Sequence, residues 1–140
     1  MFSLLFFTVG TLPKGAFSEI ALEYHKRLGT YVRLEHRPYK DAESLENHVP
    51  HGSRLIILEA DGKPRTSEAF AEMVRAWDAH GESIVVALGG PFGFSEAFKA
   101  RANVLLSLSP MTMPHDLAHL VFLEQLYRAG TIIHGKKYHY

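Results

Sequence analysis

Apolar positions along the chain fall into two spacings that alternate almost from end to end. Residues 2–9 form a short apolar run closed by Gly10 and Pro13, which predicts a first strand. Phe17, Ile20, Ala21, Tyr24 and Leu28 then recur on one helical face, with Gly29 placed to stop that helix. Residues 31–37 set Val32, Leu34 and His36 against charged neighbours, the pattern of a strand near a sheet edge. The polar residues 41–48 read as a short helix before Pro50 and Gly52. Residues 55–58 are a compact apolar strand, and residues 59–64 are expected to turn away from it. Thr66 or Ser67 caps a helix running to His80, with Phe70, Met73, Val74 and Trp77 on its apolar face. Residues 83–88 predict a strand buried on both faces, 95–102 a helix, 104–108 another strand, and 116–130 the strongest helix. This alternation predicts an α/β domain with a largely parallel sheet of about five strands.

The last predicted helix is apolar around nearly its whole circumference, through Leu117, Leu120, Val121, Phe122, Leu123, Leu126 and Tyr127. Such a helix must be covered on more than one side. In a chain of 140 residues a second copy is the natural cover, so a homodimer is expected. Glu124 and Arg128 are spaced for an ion pair in the favourable acid-first order. Burial would require them to pair, which favours a structural role, although Arg128 at a pocket edge would also suit an anionic group.

Four stretches carry candidate chemistry. The strand at 84–88 breaks on Gly89-Gly90-Pro91-Phe92-Gly93, and Ser95 can cap the following helix. Open α/β sheets bind ligands at such strand ends, and adjacent glycines let a ligand approach the main chain. An ordinary tight turn explains the same residues equally well. A second loop, Ser109-Pro110-Met111-Thr112-Met113-Pro114, follows the next strand and would lie beside the first. Its methionines suit a flat, partly apolar ligand, or merely a cover for the sheet end. His115 and His119 are four apart, but Asp116 stands where a zinc-protease helix carries glutamate. The tail, His134 to Tyr140, is basic and aromatic and suits RNA, or else frays in solvent.

Composition narrows these readings. One domain, residues 1–140, is all the length accommodates. No cysteine is present, which excludes disulfides, thiolate catalysis and cysteine-bound zinc. Fifteen basic and fifteen acidic residues cancel, which counts against generic nucleic-acid binding but not against a local patch. No run approaches the length of a membrane span, so a cytoplasmic protein without membrane attachment is expected. The turn at 89–93 lacks dinucleotide-binding spacing, and there is no P-loop.

Taken together, Gly10, Leu55-Ile56-Ile57-Leu58, Gly62-Lys63-Pro64 and Leu88-Gly89-Gly90-Pro91-x-Gly93 form an ordered series with later blocks. These are Leu106-Ser107-Leu108-Ser109-x-Met111-Thr112-x-Pro114-His115, then Glu124-Gln125-Leu126-Tyr127-Arg128-Ala129, then Tyr138-His139. The series resembles the bacterial ribosomal RNA large subunit methyltransferase H family, small single-domain members of the SPOUT superfamily. The resemblance implies helices on both sheet faces, a trefoil knot across approximately residues 84–140, and a homodimer. It also implies methyl transfer from S-adenosyl-L-methionine to N3 of the pseudouridine at position 1915, in helix 69 of 23S rRNA, on assembled ribosomes. Carried onto this chain, it places the cofactor against Leu58, Gly89, Gly90, Leu108, Ser109, Pro110, Met111, Thr112 and Met113. The implied reaction uses no metal. His115, Tyr138 and His139 are the catalytic candidates with Arg128 steering charge, and solvent is the alternative proton acceptor. The chain departs from the family pattern at Phe92, where an acid is common, and at Lys137 and Tyr140 in the tail. Those departures keep a non-catalytic ribosome-binding protein as the rival reading. A histidine-based metallohydrolase is the more distant one.

Overall fold

The computed structural model describes residues 2–140. In chain order the elements are β1 (Phe2–Val9), α1 (Ala16–Leu28), β2 (Val32–Tyr39), α2 (Ala42–His48) and β3 (Arg54–Pro64). They continue with α3 (Ser67–His80), β4 (Ile84–Leu88), α4 (Glu96–Arg101), β5 (Val104–Ser107) and α5 (His115–Ile133). All neighbouring strands pair in parallel, in the order β2-β1-β4-β3-β5. The uninterrupted apolar run of β4 lies at the centre with all five residues buried, while charged, alternating β2 lies at an edge. These positions follow from how much of each strand tolerates water.

The two-residue period of the strands divides the core in two. Leu4, Phe6, Ile56, Ile84 and Val86 face the layer of α1, α3 and α5, where they meet Leu28, Trp77, Phe122, Leu123 and Leu126. Phe7, Leu55, Ile57, Val85 and Ala87 face the other way, onto Leu45, Val49, Phe94 and Phe98 around α2 and α4. The helices therefore cover both faces. Trp77 is buried against Phe2 and Phe70, so truncating it to alanine is expected to cost about 3–5 kcal/mol.

Three helix starts carry side-chain caps, of which those of α3 and α4 follow the sequence signals. Asp41 accepts from the Ser44 amide at 2.8 Å, Thr66 from Ala69 at 3.0 Å, and Ser95 from Phe98 at 3.1 Å. Thr66, not Ser67, is thus the cap of α3; the Ser67 hydroxyl donates to Gln125 instead.

Three expectations need correction. Residues 59–64 do not leave the sheet. They remain part of β3, with a register shift against β5 in which both Leu58 and Lys63 align with Leu106. Second, α5 does not stop at Gly130. That glycine lies inside the helix, where an added Cβ would approach the Tyr31 ring to 2.5 Å; the chain turns instead at Gly135, with φ +66°. Third, much of the cover for α5 comes from its own chain, because α5 packs against both α1 and α3. Among the described residues, no helix is long and apolar enough to cross a membrane.

Candidate active site

The carboxyl ends of β3, β4 and β5 open into a cavity of about 380 Å³. Its position is set by the parallel sheet, in which all these ends point the same way. β3 contributes Leu58, Glu59 and Ala60, the last two from the register shift. β4 and its turn contribute Leu88, Gly89, Gly90, Pro91 and Gly93. The loop after β5 contributes Leu108, Ser109, Met111, Thr112 and Met113, and Ala118 closes the side from α5.

Main-chain contacts shape these walls. Gly93 has φ +66° and donates its amide to the Gly90 carbonyl at 3.1 Å, which tightens the first turn. A Cβ on Gly89 would meet the Phe94 ring at 3.1 Å, and one on Gly90 would meet Val9 at 3.2 Å. Both glycines therefore allow close packing behind the wall. In the second loop Ser109 Oγ accepts from the Met111 amide at 3.0 Å. Gly62 lets β3 approach β5, since a Cβ there would fall 2.6 Å from the Leu105 carbonyl oxygen. Ser107 Oγ then donates to the Ala60 carbonyl at 3.0 Å, fixing the shifted segment beside the cavity. Glu59 is the charged residue of the wall, and Lys99 of α4 lies 3.4 Å from it.

Eight of the nine residues expected to form a cofactor site line this one cavity; Pro110 is exposed and does not. Glu59 and Ala60 were missed because their polar, glycine-containing sequence suggested a departing turn. The signal that was available is Gly62, beside a strand that must approach its neighbour. Phe92 is wholly exposed at the loop tip and makes no part of the wall.

The four catalytic candidates fall into two places. His115 begins α5 between the lining residues Met113 and Ala118. Its Nδ1 lies 3.5 Å from Asp116, and its buried Nε2 has no hydrogen-bond partner. Arg128 lies 13 residues further along α5, about 20 Å away at helical rise. There it donates to Glu124 through Nη2 at 2.6 Å and Nε at 3.1 Å, the expected structural pair. Its Nη1 donates to His139 Nδ1 at 3.0 Å, which leaves His139 Nε2 to donate to Glu68 at 2.7 Å. Tyr138 donates to Glu124 at 3.0 Å, and its ring lies 4.9 Å from the Arg128 guanidinium. Burial, with hydrogen bonds to Tyr24 and Glu124, pushes the Tyr138 phenol well above its usual range, so it stays protonated at neutral pH. The tail is docked through Tyr138 and His139, while Tyr140 is fully exposed. His119 is not at the cavity. It is buried in the core against Phe6 and His36.

Residues 2–139 match the sequence model of a family described as "Predicted SPOUT methyltransferase". The chain belongs to the SPOUT methyltransferase family. Within it, the chain is 36% identical over 147 residues to the ribosomal RNA large subunit methyltransferase H of Caldicellulosiruptor saccharolyticus, covering 94% of this chain and 96% of the relative. It is 42% identical over 132 residues to the protein of that name from Coprothermobacter proteolyticus, covering 94% of each. Solved structures share the fold at much lower identity. A methylase family protein from Haemophilus influenzae superposes with a TM-score of 0.58 at 10% identity, covering 98% of this chain and 70% of that one. A Legionella pneumophila methyltransferase, solved with bound S-adenosylmethionine, gives 0.51 at 14% identity, covering 92% and 67%.

Proposed function

We propose that this SPOUT methyltransferase takes S-adenosyl-L-methionine in the cavity at the strand ends and acts in the cytoplasm as a knotted homodimer. Its substrate is N3 of the pseudouridine at position 1915, in helix 69 of 23S rRNA within the assembled ribosome. The observation that carries the reading is the single cavity shared by Leu58, Gly89, Gly90 and the loop from Leu108 to Met113. The relatives' name supports the ribosomal RNA substrate.

The residues present fit the cofactor. Leu58, Leu88, Leu108 and Met113 offer apolar walls, and the glycine turn exposes main chain, a combination suited to an adenine ring. Glu59 adds a carboxylate to the wall, a sign that suits a cationic ligand, with Lys99 3.4 Å away offsetting part of its charge. When bound, the cofactor supplies an electrophilic methyl whose bond to sulfur breaks as the bond to N3 forms. The protein aligns the two reactants, and the N3 proton passes to His115 or to solvent. Tyr138 is unsuited to that task because it remains protonated. The homodimer is supported by the separation of the two catalytic clusters, since a second protomer can bring its Arg128 end to the pocket of the first. Exposed Phe17, Ile20 and Leu22 on α1 and Leu117 on α5 supply apolar surface for such a contact.

The decisive experiment supplies labelled cofactor to ribosomes lacking the modification and maps the labelled nucleotide. Label at N3 of that pseudouridine is expected. Label elsewhere overturns the substrate, and cofactor binding without transfer favours a non-catalytic ribosome-binding protein.

A further inference from the structure

Three histidines that take no part in this reaction meet away from the cavity. His25 of α1, His36 of β2 and His119 of α5 each place a ring nitrogen within 4.8 Å of the other two. His119 is only 1% exposed, and its Nδ1 has no hydrogen-bond partner. Buried polar atoms are nearly always paired, so an orphan nitrogen in a core calls for a ligand. His36 shows a second sign of preparation. Its Nε2 lies 2.8 Å from Thr8 Oγ1. If that nitrogen carries the proton and donates to Thr8, the Nδ1 lone pair is left free. Ligating histidines are commonly oriented in this way, by giving their other N–H to an oxygen. Phe6 packs on both rings, with centroids 5.5 Å from His36 and 4.9 Å from His119, and closes the group from the core side.

We propose that His25, His36 and His119 form a binding site for a divalent transition-metal ion, zinc foremost, which clips the start of α5 to α1 and β2. None of the three lines the cavity, although His115 is close enough to act electrostatically on His36 and His119, and water completes the coordination. An all-imidazole set without carboxylate or thiolate selects zinc, nickel or copper over magnesium or calcium. Tetrahedral zinc holds its nitrogens about 3.4 Å apart at ordinary bond lengths. The present spacing therefore closes by small side-chain movements, for which half-buried His25 has most freedom. Burial also lowers the pKa of all three rings, to about 4 for His36 and about 3 for His119, with neighbouring histidines adding to the effect on those two. All three are then neutral at neutral pH, the form that binds metal without first releasing a proton.

The test uses the full chain stripped with a chelator. Zinc is titrated by calorimetry, and cobalt by its visible ligand-field bands. One ion per chain is expected, with tetrahedral cobalt bands and a rise in Tm of about 5–10 °C at zinc 100-fold above Kd. His25→Gln and His36→Gln should each weaken zinc by about tenfold or more, whereas His51→Gln, at an exposed residue, should not. His119→Leu risks disturbing the core, so the His25→Gln variant decides, with the metal-free Tm as its folding control. Absence of stoichiometric binding, or binding that survives His25→Gln unchanged, overturns the proposal. Cofactor titration of the metal-free protein is read separately and leaves the proposed methyl transfer testable either way.

Discussion

Arg128 Nη1 donates to His139 Nδ1 at 3.0 Å, and this one bond assigns the rest of the tail's hydrogen bonding. It makes His139 Nε2 the donor to Glu68, while the same guanidinium grips Glu124 and stacks on Tyr138. Arg128→Ala leaves Glu124 half-buried without its cation and releases the tail. The expected loss is about 1–3 kcal/mol in urea unfolding. Faster trypsin cleavage at Lys136 and Lys137 should accompany it. Arg128→Lys should recover only part of either effect, because an ammonium cannot reproduce the forked contact.

Gly89 gives a prediction that the sequence alone would have misattributed. A side chain there reads as filling the ligand space, yet its Cβ points at the Phe94 ring 3.1 Å away. Gly89→Val should therefore destabilise by overpacking, about 1–3 kcal/mol, and weaken cofactor binding through displacement of the turn. Trimming the obstruction with Phe94→Leu should restore part of both. Calorimetry on the double variant checks this; no recovery would mean that the side chain blocks the cavity itself.

At Gly62 the obstruction is main chain on both sides, Leu105 at 2.6 Å and the Glu59 carbonyl at 3.1 Å. Neither can rotate away. Gly62→Ala is expected to cost about 2–3 kcal/mol and to shift Glu59 and Ala60 in the cavity wall. Thermal unfolding and cofactor affinity should fall together.

The histidine cluster predicts acid sensitivity. His36 and His119 have folded pKa values of about 4 and about 3, against 6.5 when unfolded. Between these limits the unfolded chain binds more protons, so stability rises with pH. It is complete above about pH 6.5 and lost on acidification at up to about 1.4 kcal/mol per pH unit for each ring. Urea unfolding of metal-free protein between pH 7.5 and 5 should show this slope, and His36→Gln should reduce it.

The strands and helices were legible because each buried face leaves a spacing in the chain: the run at 84–88, the helical repeat through Trp77, the charged edge strand. The glycine turn and the loop from Leu108 to Met113 were legible as a pair because both follow parallel strands. Residues 59–64 were not, since polar residues that stay in a sheet through a register shift look locally like residues that leave it. Gly130 misled for a related reason. A glycine required for contact with Tyr31 looks the same in sequence as one that ends a helix.

The sequence by itself determined the α/β class, the five strands, the Ser95 cap and the family resemblance, all of which rest on local spacing or on motif order. Tertiary structure decided how the side chains outside the cavity group together. It placed His115 at the start of α5, outside the cavity lining, and Arg128 far along the same helix, docked the tail on Glu68 and Glu124, and gathered His25, His36 and His119 from three elements. Such groupings depend on how separate elements pack, and no spacing along one segment records the distance to another.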